Sequence, residues 1–287
     1  MAPSNLVRMP ANAAKKKRPR TYDPARTRAA VLTQFGHLRT VVAGLSEEQL
    51  AAPGGLGDWS VRELAAHVYL GVESVVRALA DPAPEGDLRG PATGAGRPGR
   101  AEVGLLDWPF ATAGLAGRIA EDTRGASAGT PVTELYERAA RIAEVLPGAD
   151  DERVVRTRVG TMRFADFLVT RLVELVVHSD DLARATGVAV PFDRQALAAC
   201  TRLLADALAA KAPGASTEVR IPPFAVVQCV EGPRHTRGTP PNVVETDPLT
   251  WIRLATGRTQ WADEIENGQV RASGERADLV GVLPIMG

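Results

Sequence analysis

The sequence predicts a bundle of long helices followed by a small α+β domain, and three observations carry that prediction. Helical apolar stripes separated by punctuated loops run from residue 24 to residue 187. From residue 192 the pattern changes, and one helix gives way to short runs rich in β-branched residues. The chain has 287 residues, above the usual size of a single domain. We expect a disordered basic arm over residues 1–21, the bundle over 22–190 and the second domain over 191–287.

Composition narrows the classes of function. Thirty-four basic residues balance thirty-four acidic ones, so no overall field draws the chain to nucleic acid. The run KKKRPR, Lys15 to Arg20, has nothing aromatic or helical beside it and reads as a solvated tail. Cys200 and Cys229 stand apart, form no C-x-x-C pair and point to a reducing compartment. No apolar run reaches the roughly 18 residues of a membrane span, and the start lacks the apolar core of a signal peptide. A cytoplasmic protein is expected.

The bundle opens at Asp23, a helix cap, with Pro24 at the first helical position. Val31, Phe35, Leu38, Val42 and Leu45 give that helix its stripe, and His37 falls between core positions. A short turn at SEEQL and the loop GGLGD lead to a second helix. There Ser60 and Glu63 form a capping box, and Val61, Leu64, Val68, Val72 and Val75 define the buried face. Residues 82–106, rich in Pro, Gly and Ala, read as a long mobile loop. A short helix is expected over Phe110 to Thr123, and another from Thr130-Pro131 to Leu146. VVRTR, Val154 to Arg158, is a strand or strap leading into a helix from Met162 to Gly187. Beyond it, Asp193 to Ala212 is helical, VRIPPF, AVVQCVE and NVVETDP are short strands, and Asp247-Pro248 starts another helix. WADEIENG reads as a helix, GQVRASG as a strand and RADLVGVLP as a closing turn or helix.

The chemistry concentrates in MRFADFLVTRLVELVVHSDDLARATG, Met162 to Gly187. Its most apolar part, LVELVVH, contains Glu174 and His178, which helical spacing stacks one turn apart on the same face. Burying them among leucines and valines costs several kcal/mol unless they are paired or bind an ion. A satisfied ion pair, with Arg171 as partner, and a metal site are both open at this point. Asp181 lies one turn past His178 and Asp180 close by. His67 adjoins the buried face of the second helix. If the two helices pack together, two imidazoles and a carboxylate converge, a set that leaves a coordination position open.

DWSVRELAAHV and RLVELVVHSDDLARATG resemble the two characteristic segments of the mycothiol-dependent maleylpyruvate isomerase family, whose bundle is related to DinB-like four-helix bundles. The resemblance covers residues 24–187. It implies a divalent metal, zinc for this donor set, on His67, Glu174 and His178, and the thiol mycothiol bound to it as a thiolate. Asp180 and Asp181 are then candidates to fix an imidazole from behind, and Arg163 and Arg171 to bind a carboxylate of a small electrophilic substrate. The implied function is a thiol transferase or isomerase; no further catalytic residue is assigned. TDPLTWIRLATGRTQWADEIENGQVRASGERADLVGVLP is similar to the C-terminal part of bacterial sterol-carrier-like domains. That leaves a second expectation, a non-catalytic carrier with an apolar ligand. With the first, the second domain covers the open side of the metal and offers Arg220, Arg234, Arg237 or Arg253 to an anion.

Overall fold

The computed structural model describes residues 20–82, 101–232 and 241–286. The expected disordered arm lies outside them except for its last two residues, and so do residues 83–100 of the expected loop and Arg234 and Arg237. Helix α1, Pro24–Ala43, starts as its sequence requires, with the Asp23 side chain accepting from the Arg26 amide. Helices α2, Glu47–Ala51, and α3, Val61–Ala80, each begin with a complete capping box. Short helices α4, Trp108–Ala111, α5, Ala116–Ser127, α6, Val132–Ala139, and α7, Ile142–Val145, follow. A hairpin of β1, Val154–Thr157, and β2, Gly160–Arg163, then leads directly into α8, Phe164–Thr186.

The second part begins with α9, Arg194–Lys211. Strands β3, Thr217–Ile221, β4, Ala225–Cys229, and β5, Val243–Thr246, precede α10, Pro248–Ala255, α11, Trp261–Glu266, and β6, Val270–Ser273. The sheet order is β4-β3-β5-β6, with β3 and β5 parallel and the other neighbours antiparallel. In β3 and β4 every second residue is buried, as expected of a sheet with one covered face, and α9 packs on β4. The observed architecture is therefore a helical bundle followed by a small mixed α/β domain.

Helix α8 is the axle of the molecule. Helices α1 and α3 pack along it from the bundle, and α9 packs on it from the second domain. Surrounded in this way it is buried on every side from Leu175 to Leu182, and polar residues share that burial. It ends where Gly187 takes φ 71°, a left-handed C-cap open to glycine at little cost. Gln34, from the middle of α1, is fully buried and binds three elements. Its amide donates to Ser179 Oγ at 2.8 Å and the Pro191 carbonyl at 3.1 Å, and its oxygen accepts from the Asp193 amide at 2.8 Å.

Several expectations change in detail. The helix expected from Met162 starts at Phe164, because residues 160–163 pair with β1 and Met162 points inward from a strand. The helix expected over 110–123 is broken, with a 3₁₀ turn at Ala113–Leu115, in a stretch where Gly114 and Gly117 weaken helical preference. The helix expected to run to Leu146 breaks between α6 and α7, although Leu135, Ala139, Ile142 and Leu146 are all buried as its stripe required. Residues 101–106 are not a free loop end. The amides of Glu102 and Val103 both donate to the Thr161 carbonyl, at 2.9 and 3.0 Å, and Leu105 and Leu106 pack on the core. Residues 274–286 close the chain in turns rather than a helix.

Leu172 sits in the middle of α8 with no exposed surface. Truncation to alanine is expected to cost about 3 kcal/mol of stability, as for other fully buried leucines. Val280, 60% exposed, serves as the comparison, since Val280→Ser is expected to change stability by less than about 0.5 kcal/mol. Urea denaturation of both variants checks the expectation.

Candidate metal centre

Helix α3 presents His67 to the face of α8 that carries Glu174 and His178, because the two helices pack side by side. Glu174 Oε2 lies 3.1 Å from His178 Nε2 and 3.5 Å from His67 Nε2. The two imidazoles meet edge to face, with ring centroids 4.8 Å apart. One donor atom from each of the three residues fits within a mutual distance of 4.8 Å. Tetrahedral zinc with bonds of ~2.0–2.2 Å sets its donors ~3.4 Å apart, so this spacing and this mixture of imidazole and carboxylate suit a small divalent ion.

The electrostatics put His67 and Glu174 in their ligating forms and leave His178 a proton to lose on binding an ion. Burial, aided by His178 and Arg171, holds the His67 imidazole below its ordinary pKa and therefore neutral, the form that ligates. Burial acts against the charge of Glu174, but hydrogen bonds with both imidazoles and the nearby Arg171 hold its carboxyl well below the usual range. At His178 burial is outweighed by hydrogen bonds to Asp181 and Glu174, and the pKa rises. Asp181 Oδ2 accepts from His178 Nδ1 at 2.9 Å. That bond assigns the Nδ1 proton; Nε2, facing the Glu174 carboxylate, carries a proton as well, and an ion bound there would displace it.

The cluster lies in the wall of a cavity of about 840 Å³. Trp59, Trp108, Phe167 and Met162 line its apolar parts, and Thr256, Arg258 and Met286 of the second domain close one side. The Trp59 ring lies 5.2 Å from that of His67. Guanidinium groups of Arg77, Arg118, Arg156, Arg158 and Arg171 also reach the wall. Arg171 lies over the rings of Phe167 and Trp108, at 5.2 and 5.9 Å, with Glu174 4.0 Å away.

The remaining sequence candidates divide. Asp180 does not stand behind an imidazole. Two residues past His178 it projects about 200° around the helix, and both its oxygens accept from Arg253 of α10, at 2.8 and 2.6 Å. Arg163 lies outside the cavity wall, at the end of β2 just before α8, where it pairs with Glu152 at 3.0 Å and Asp166 at 3.1 Å. Arg220 pairs with Glu218 of its own strand at 2.7 Å, and Arg253 is occupied by Asp180, so neither faces the cavity. The arginine that does face it from the second domain is Arg258, which sequence reasoning missed. Its Nε and Nη2 donate to Asp181 at 3.3 and 3.1 Å. Two adjacent acids in an apolar helix signal that two cations must arrive from elsewhere, but spacing does not say which.

The comparisons with known proteins follow this geometry. The mycothiol maleylpyruvate isomerase N-terminal domain matches residues 31–183, more than half of the chain. The chain belongs to that family. The bacterial SCP ortholog family matches residues 193–285, so the isomerase-type bundle is joined to a sterol-carrier-type domain. No curated protein matches this chain. Among solved structures, a mycothiol-dependent maleylpyruvate isomerase has a TM-score of 0.54 at 16% identity, and its histidine-to-alanine mutant 0.56 at 15%. Each comparison covers 88% of this chain and 93% of the solved one. At that identity the likeness is one of fold, and it extends across both domains of this family member.

The Asp180–Arg253 pair bridges the two domains through two charge-assisted hydrogen bonds, with the carboxylate buried. Asp180→Asn and Arg253→Ala are each expected to destabilise the chain by about 2 kcal/mol. The double variant should lose little more than either single one. Chemical denaturation of the three variants measures the coupling, and strictly additive losses would show that the two side chains do not act as a pair.

Proposed function

We propose that the chain is a divalent-metal-dependent enzyme that uses a low-molecular-weight thiol, mycothiol in the first instance, to isomerise or transfer to a small electrophilic substrate. The observation that carries this reading is the convergence of His67, Glu174 and His178 in the wall of a cavity shared by both domains. Family membership and the printed names of the solved relatives supply the thiol. A divalent ion such as zinc on these three residues would act as a Lewis acid that lowers the pKa of a thiol and keeps it ionised at neutral pH.

The chain's own groups divide the remaining work. Asp181 holds the Nδ1 proton of His178, so that an ion displacing the proton of Nε2 would find that nitrogen turned toward the cluster. Trp59, Trp108 and Phe167 give the cavity apolar walls beside the cluster. Arg171, held over two aromatic rings, brings a fixed positive charge to the cavity floor. Together with Arg156 it suits an anionic group on the electrophile, which would be oriented by paired N–H donors, whereas Arg158 is held by Asp122 at 2.8 Å. An arginine-lined wall fits a polar substrate better than the apolar cargo of a lipid carrier.

Purified full-length chain is expected to hold one zinc per molecule, and His178→Ala and Glu174→Gln to lose most of it. Calorimetry should register mycothiol binding to the zinc-loaded chain and little or none to the metal-free chain. Equal metal content in the wild type and His178→Ala would overturn this reading.

A further inference from the structure

Arg258 stands outside the metal cluster yet is joined to it by an unbroken chain of polar contacts. Its Nε and Nη2 grip the two oxygens of Asp181, at 3.3 and 3.1 Å, and Asp181 Oδ2 is the acceptor for His178 Nδ1 at 2.9 Å. The Nε2 of the same imidazole faces Glu174 at 3.1 Å. The far end of the guanidinium is fixed too, since Nη1 donates to the Thr256 carbonyl at 2.7 Å. Asp181 is almost wholly enclosed, its side chain only 4% exposed, and that of Arg258 is 21% exposed. Without the arginine, Asp181 would face the buried imidazole with one oxygen otherwise unpartnered among apolar side chains, free to rotate about its terminal torsion.

We propose that Arg258, a residue of the second domain, is a positioning residue that sets the affinity and geometry of the metal centre in the bundle by locking Asp181 against His178. The inference rests on the metal reading of His67, Glu174 and His178 and adds an interdomain control to it. The planar fork of arginine fixes both carboxylate oxygens in one plane. The carboxylate in turn fixes the ring orientation and tautomer of His178, and such outer contacts are worth roughly 10–100-fold in metal affinity. Arg253 provides an internal comparison. It makes a closer two-bond pair, at 2.8 and 2.6 Å, from the same domain to the preceding residue, Asp180, but that pair has no contact with an imidazole.

The test uses the full chain and zinc as the probe, with dissociation constants from chelator competition and the visible absorption of the cobalt-substituted protein as a second readout. Arg258→Ala is expected to weaken zinc binding about 10-fold and to shift the cobalt bands, while Arg253→Ala stays within about twofold of the wild type despite its cost in stability. Arg258→Lys, which keeps the charge but not the fork, should fall between. Should Arg258→Ala fail to fold, Arg258→Gln carries the same two readouts. Zinc affinity and cobalt bands in these Arg258 variants equal to those of the wild type would overturn the inference while leaving the metal reading intact. Equal losses in the Arg253 and Arg258 variants would also overturn it, since the effect would then come from domain docking in general. A wild-type chain that takes up no zinc would overturn the metal reading and this inference with it.

Discussion

The structure depends on one constraint: α8 carries ionisable and polar side chains through the centre of the molecule, where each must have a partner. Glu174, His178, Ser179, Asp180 and Asp181 all lie in or beside the fully enclosed run of that helix. An unpaired group there would cost several kcal/mol. The fold answers by converging on the helix from every side. Helix α3 brings His67, α1 brings Gln34 to Ser179, and the segment around α10 brings Arg253 and Arg258 to the two aspartates. Apolar packing holds the helices at the right distance, and the polar set specifies which helix faces which.

This arrangement also divides labour between the domains. The bundle provides the donor atoms and most of the cavity wall, and the second domain contributes one side of the wall and the outermost layer of hydrogen bonds. The cavity lies where the domains meet. From the sterol-carrier-type domain, Thr256, Arg258 and Met286 reach that wall.

Much of this was legible in residues. The capping box at Ser60, the valine and leucine stripe of α3 and the glycine stop of α8 are local signals, and local chemistry sets them. The pairing of Glu174 with His178 follows from helical spacing alone. The partners of Asp180 and Asp181 were not legible, because Arg253 and Arg258 lie more than seventy residues away and reach α8 only after a sheet has folded between them. Gln34 was hidden for the same reason: one polar residue in an amphipathic helix does not announce that three elements will use it. Met162 was misplaced because its hydrophobicity suits a strand facing inward as well as a helix, and only pairing with Val155 decides.

The enclosed run of α8 limits how the chain can vary. Glu174, His178 and Asp181 share one face of a short stretch of helix while Asp180 points away from it, and the two directions meet different neighbours. Inserting or deleting one residue inside that stretch rotates everything beyond it by about 100°, misaligning the arginines and the imidazole in a single event. Substitutions act locally, whereas a shift in spacing has no local remedy. A change of length is tolerated in the loops but not between Glu174 and Asp181, where the spacing itself, and not only the residues, makes the site.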